Sequence, residues 1–204
     1  MGVFNGSISY SKFYVRGEVP KKHQAPYMKA IRTRTFVPLD PDQEEEEHSG
    51  WCAPGNSLDL DLSQQKVMFD SYITLALRVD KWRIPRALFR AHFEQAATEL
   101  KARHGREKLS KREKDEIKFR VTKRLRKKVL PSMRHFDLCW DLDRGVVLFW
   151  NRSPRLADDL MALFEQTFDL RLEQASPFVE AKQLLSEVAL SAVDELDQSS
   201  FASK

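Results

Sequence analysis

Apolar and polar positions along this chain fall into blocks whose spacing predicts its elements. Residues 3–15 are rich in Phe, Tyr, Ile and Ser, with Phe4, Ile8 and Tyr10 on one face, which predicts a strand. Pro26 suits the first turn of a helix reaching about Arg32, with Tyr27, Ala30 and Ile31 inward. Residues 58–62 alternate strictly as Leu-Asp-Leu-Asp-Leu and predict a half-buried strand. Residues 67–69 and 72–79 continue as strands, and Ile73, Leu75, Leu77 and Val79 share a face. Pro85 then opens a helix carrying Leu88, Phe89, Phe93, Ala97 and Leu100, with Gly105 placed as its left-handed cap. A second helix is predicted over 111–130, where Ile117, Val121 and Leu125 form a narrow apolar stripe and Pro131 ends the run.

Beyond Pro131 the period returns to two. Phe136, Leu138, Trp140 and Leu142 face one way, Asp143-Arg144-Gly145 turns, and residues 146–150 return as a hairpin partner. Ser153-Pro154 starts a helix with Leu156, Leu160, Leu163 and Phe164 on one side, followed by a short strand at 170–172. Residues 177–196 read as a last helix through Phe178, Ala181, Leu185, Val188, Ala192 and Leu196, and 198–204 as a frayed tail. The pattern gives an α+β fold: an antiparallel sheet with packed helices and a protruding helical hairpin. Residues 1–82 and 135–175 make the sheet-containing central domain, 83–134 the inserted hairpin, and 176–204 the C-terminal helix and tail.

Charge sharpens this picture at one place. The window from Lys101 to Lys128 holds fourteen Lys or Arg against four acids, a net +10, whereas the whole chain carries only +4. Everything outside the window therefore sums to −6. Ser110 with Glu113 is a capping box that starts the second hairpin helix. From Lys118 to Lys128 that helix has no acid at all. A solvated helix normally mixes signs, because opposite charges at i,i+4 stabilise it. Like charges at this density point to a polyanion partner. The candidate phosphate contacts are Lys111, Lys114, Lys118, Arg120, Lys123, Arg124, Arg126, Lys127 and Lys128, joined by Arg134 just beyond the helix. So many Lys and Arg with few Asn or Gln offer positioning on phosphates rather than discrimination between bases. Residues 40–49, with four consecutive glutamates, read as a mobile, solvated acidic loop; competition with nucleic acid for the basic helix is the less favoured alternative.

The remaining composition excludes more than it suggests. With 204 residues and 42% hydrophobic content the chain can bury a real core. Cys52 and Cys139 lie far apart without metal-ligand spacing, which argues against a zinc site or a disulfide framework. No apolar run reaches membrane-spanning length and no signal peptide opens the chain, so a cytoplasmic protein is expected, nucleoid-associated if the basic helix binds DNA. Phosphate loops, dinucleotide fingerprints and zinc-protease motifs are absent, and the five histidines are scattered. One constellation bears on catalysis. Asp137, Asp141 and Asp143 fall opposite the apolar face of their hairpin, with Asp59, Asp61 and Asp70 in neighbouring segments. Such carboxylates could hold Mg²⁺ for phosphodiester cleavage. Alternating Asp on a half-buried sheet is more simply its wet face.

The order of these pieces resembles the bacterial recombination-associated RdgC family. The likeness runs through the N-terminal strand, Gly50-Trp51 and the passage at Ile84-Pro85, and is strongest from Leu100 to Pro131. There the run from Lys108 to Asp115 (KLSKREKD) matches the family's lysine-rich turn before a second helix, and Val129-Leu130-Pro131 its Leu-Leu-Pro exit. The Trp140 strand, the Gly145 turn and the helix from Ser153 to Phe164 continue it. The resemblance implies a non-enzymatic protein with no cofactor. Its partners would be double-stranded DNA, then single-stranded DNA, and a second copy of itself. Family members close as a ring dimer around duplex DNA without sequence preference, restrain recombinase filaments, and use the helical hairpin as a tip that meets its twin. This chain departs from the pattern twice. It reads as a shortened form that ends before the family's base domain, and Met133-Arg134 stands where the family places a tip Phe. The expectation is a sequence-tolerant DNA-binding protein that modulates recombination, with a metal-dependent nuclease or an RNA-binding factor as rivals.

Overall fold

The computed structural model describes residues 2–4 and 9–184. In chain order the elements are β1 (Ser11–Arg16), α1 (Gln24–Thr33), β2 (Glu47–Cys52), α2 (Gln64–Val67), β3 (Met68–Phe69), β4 (Tyr72–Lys81), α3 (Arg86–His104), α4 (Lys111–Arg126), β5 (Ser132–Asp141), β6 (Val146–Phe149), α5 (Pro154–Phe168), β7 (Arg171–Gln174) and α6 (Pro177–Leu184). The fold is α+β. One antiparallel sheet runs in the order β2-β4-β5-β6-β1-β7, and β3 pairs β4 beside β2.

The long central pair β4–β5 organises the molecule. Its register runs from Tyr72↔Asp141 to Lys81↔Ser132. The chain therefore leaves the sheet at Lys81 and re-enters at the neighbouring Ser132, and the helices between them project as a hairpin. On one face Ile73, Leu75, Leu77, Leu138 and Trp140 pack against α1 and α5. Trp140 meets Phe164 and Phe168 at ring distances of 5.0 and 5.1 Å. Trp51 is fully buried, and its indole N–H donates to Thr167 Oγ1 at 2.9 Å. Gly50 beside it is required by sterics, because a Cβ there would lie 2.5 Å from the Phe36 Cα.

Both faces of β4 are covered, which the alternation of Ile73, Leu75, Leu77 and Val79 alone does not reveal. On the second face the Arg78 guanidinium donates to Asp80 (3.0 and 2.7 Å) and to the Ser57 carbonyl (2.9 Å), and lies 4.0 Å from the centre of the Phe36 ring. Asp137 is buried on this face and accepts the backbone N–H of Val3 (3.0 Å) and of Gly55 (3.3 Å). Burial pushes the Cys52 thiol up to about 12, so it is an inert part of the packing.

Several expected boundaries move. The first strand starts at Ser11, where both β6 and β7 become available as partners; Tyr10 stays exposed beside Trp150, and Ile8 lies outside the described residues. Residues 58–62 form no strand. Asn56 Oδ1 accepts the Leu58 N–H and Asp59 Oδ1 the Asp61 N–H, so local side-chain bonds turn the backbone despite its alternation. Leu58 is left exposed while Leu62 is buried. Residues 67–69 divide between α2 and β3. The second hairpin helix ends at Arg126 rather than at 130. The Lys128 and Val129 N–H groups fold back onto the Leu125 carbonyl, and Pro131 biases Leu130 toward extended backbone. The last helix is described through Leu184; Leu185, Val188, Ala192, Leu196 and the tail lie outside the described residues.

Candidate nucleic-acid interface

The hairpin is built from local signals. Gly105 adopts the left-handed conformation (φ 59°) and caps α3. At the start of α4 the Glu113 N–H donates to Ser110 Oγ (3.2 Å), and Glu113 Oε2 accepts the Ser110 N–H (2.8 Å). The Ser110 backbone N–H, then its hydroxyl, hold the Glu113 carboxyl below its ordinary range. Ile117, Val121 and Leu125 are fully buried under Phe89, Phe93, Ala97 and Leu100 of α3, a small core separate from that of the sheet. Leu88 falls off this seam and is exposed.

Around this seam α4 presents two sides. Toward α3 it opens a groove of about 310 Å³ into which Arg103, Arg120 and Arg124 face over Leu100, Ile117 and Val121. Glu99 is the acid in its lining, and it already accepts from Gln95 at 3.1 Å. Among the described residues, none of the three arginines has an ion pair. Arg103 is the member that the focus on α4 missed, although it continues the Ala96–Leu100 face one turn on.

The other side is occupied. The loop over residues 40–46 does not stand free in solvent as the run of glutamates suggests; it docks on α4. One Asp42 oxygen lies 3.0 Å from Lys123 Nζ and 2.8 Å from Lys127 Nζ. These two ammonium groups, Lys127 first, hold the Asp42 carboxyl below its ordinary range. Arg126, which the sequence reading grouped with the solvent-facing cations, is buried at 7% exposure. It donates from Nη1 to the Gln43 carbonyl at 2.7 Å and approaches Glu46 at 3.6 Å. Its burial follows from this loop on one side and from Trp82, Ile84 and Phe89 at the hairpin root on the other. Of the remaining candidates, Lys118 pairs with Asp115 at 3.3 Å. Lys111, Lys114 and Lys128 are exposed without an ion pair among the described residues. Arg134 is exposed on β5, apart from the groove and on the α5 side near Asp159.

The aspartates raised as metal ligands are not brought together. Asp137 is committed to backbone N–H groups, Asp59 and Asp61 share Lys66 (2.7 and 3.1 Å), and Asp141 holds the Arg144 N–H at 3.0 Å. Asp70 sits at a tight turn with φ 53°. Among the described residues no three His, Cys, Asp or Glu side chains converge at metal-binding spacing. Nor is any described helix long and apolar enough to cross a membrane.

Fold and site together define a class: an α+β protein whose central strand pair carries a cationic helical hairpin. The chain matches the family described as "Putative exonuclease, RdgC" over residues 18–188, and it belongs to that recombination-associated family. A comparison with curated proteins gives no match.

Proposed function

We propose that this chain binds DNA through the hairpin, without reading its sequence, as a non-enzymatic modulator of recombination. The observation that carries the reading is the groove of Arg103, Arg120 and Arg124, three guanidinium groups unpaired among the described residues of a chain rich in ion pairs. Arginine presents a planar donor fork suited to phosphate oxygens. Lys111, Lys114 and Lys128 extend the positive surface along the same hairpin. The docked acidic loop lowers the affinity of the opposite side by occupying Lys123 and Lys127 with a carboxylate where a phosphate would sit.

The scattered placement of the aspartates supports a binding role over a phosphodiesterase role. Labelled duplex incubated with the protein and Mg²⁺ or Mn²⁺ stays intact on this reading, and cleavage would overturn it. Fluorescence anisotropy with unrelated duplexes of equal length tests the binding itself. Affinities agree within a few-fold across sequences. With about six phosphates neutralised they fall roughly 10³-fold between about 50 and 200 mM salt. A flat salt response removes the proposal. Equal-length RNA in competition separates a DNA preference from general polyanion binding. Light scattering with and without DNA reads whether two copies assemble, for which the exposed Phe119 and Leu130 offer apolar surface.

A further inference from the structure

At the root of the hairpin, away from the arginine groove, lies a second recess of about 280 Å³. Trp82 lines it from the end of β4, Arg86 and Phe89 from the first turn of α3, and Thr122 and Arg126 from α4, with Glu46 at its rim. Four buried side-chain polar atoms lack a hydrogen-bond partner among the described residues: Tyr27 Oη, Trp140 Nε1, Trp82 Nε1 and Arg126 Nε. The first two sit in the apolar core of the sheet. The other two belong to residues that line this one recess; both are donors, and both atoms are closed to water as the rim stands, so an acceptor meets them only once the rim at Glu46 opens. A buried donor without an acceptor is unfavourable, so two at one place call for an acceptor from outside.

The surroundings say what that acceptor is. Arg126 is more than nine-tenths buried, and its guanidinium lies 6.0 Å from the Trp82 ring centre. Arg86 adds a second guanidinium with no ion pair among the described residues. The acid within reach is Glu46, 3.6 Å from Arg126 Nη2, and its side chain is 78% exposed, so it can turn out to water. Two guanidinium groups and an indole N–H suit an anion with several acceptor oxygens. The Trp82 and Phe89 rings suit a flat, unpaired base, since only an unstacked base offers its face to an aromatic side chain.

We infer that this recess binds one unpaired nucleotide, its phosphate on Arg86, Arg126 and the Trp82 indole N–H and its base against the aromatic wall. The inference extends the nucleic-acid reading from duplex backbone to an unpaired nucleotide, and its site is separate from the groove. The test follows the Trp82 indole N–H resonance in the ¹⁵N-labelled full chain, assigned by its loss in Trp82→Phe. Deoxyadenosine monophosphate shifts this resonance and saturates. Inorganic phosphate alone and deoxyadenosine alone each bind at least about tenfold more weakly, because each lacks one half of the site. Arg86→Ala weakens the nucleotide about tenfold, and Glu46→Gln tightens it several-fold; both side chains are on the surface, so the fold is not at stake. A single-stranded oligodeoxyadenylate that moves the resonance as well identifies a strand as the source, and a response to the mononucleotide alone identifies a free nucleotide. No shift at millimolar nucleotide overturns the inference, as does inorganic phosphate binding as tightly as the nucleotide. Blunt duplex binding, measured on the same samples, separates the two readings. If it persists while the indole stays silent, the recess fails alone. If the indole responds while duplex does not bind, the groove fails alone.

Discussion

The two sides of α4 carry the same residue types and meet opposite fates. Toward α3, Arg120 and Arg124 stand with Arg103 around a groove and have no ion pair among the described residues. On the side of the 40–46 loop, Lys123, Arg126 and Lys127 are taken up by Asp42, Gln43 and Glu46. Counting cations along the helix treats them alike. What separates them is a loop that lies about 80 residues earlier in the sequence. A positive side chain is available to a phosphate only in proportion to what it must first give up.

The largest test of this contrast is charge reversal on the open side. Arg120→Glu with Arg124→Glu removes two phosphate contacts and adds repulsion. Duplex affinity falls roughly 10²-fold at low salt, and the slope of log K against log salt drops by about 1.8. Circular dichroism is unchanged, since both side chains lie outside the Ile117–Val121–Leu125 seam and exposed substitutions cost within about 0.5 kcal/mol each. Next in size, Lys123→Glu with Lys127→Glu weakens duplex less than tenfold, because the Asp42 carboxylate already engages both ammonium groups in the free chain and offsets one of their two charges. If the second pair proves more damaging than the first, the contrast is inverted and the loop side is the binding side.

How much of this was legible in the sequence depends on how local each feature is. The capping box of Ser110 and Glu113, the left-handed Gly105 and the apolar stripe of α4 are set within a few residues, and they stand where their spacing puts them. The paired faces of β4 and β5 follow from period-two alternation in the same way. The alternation at 58–62 misled because Asn56 and Asp59 offer the backbone closer acceptors than a neighbouring strand would. The burial of Arg126 and the engagement of Asp42 depend on a tertiary contact between distant segments, and no periodicity encodes which acid meets which base. The same holds for Asp137, whose polar partners come from the N-terminal residues and from the Gly55 turn.

Freeing the closed side should make the two sides more alike. Asp42→Asn removes the carboxylate shared by Lys123 and Lys127, so duplex binds several-fold tighter and the salt slope steepens by up to about 1.8 as two contacts are recovered. Acid has a related effect on the latch. The Asp42 pKa is depressed in the folded chain, so the latch is fully formed above the ordinary carboxylate value near 3.8 and is lost as pH falls through the lower, folded one. Amide exchange over residues 40–46 reports both changes, rising in Asp42→Asn at neutral pH and in the parent chain only in strong acid. Unchanged exchange and unchanged affinity in the variant would mean that the loop contact has no bearing on binding.

The smallest effect belongs to the frame that holds both sides. Ser110→Ala removes the hydroxyl that accepts the Glu113 N–H and donates to the Glu113 carboxylate at 2.8 Å. N-cap replacements of this kind cost about 1 kcal/mol of stability, read here by chemical denaturation. The Glu113 carboxyl then rises toward its ordinary value near 4.5, because it keeps the backbone N–H of residue 110 and loses the hydroxyl. A depressed carboxyl contributes stability above its unfolded value and loses it as pH falls through the folded one. The acid limb of the stability curve therefore shifts to higher pH in the variant, and carboxyl NMR follows the same movement directly. Duplex affinity changes by less than about twofold, since no phosphate contact is lost and the Ile117–Val121–Leu125 seam still fixes the register of α4 on α3. A larger loss of affinity would show that DNA reads the exact pose of the hairpin tip. The difference between the two sides of α4 would then matter less than the angle at which the whole hairpin is held.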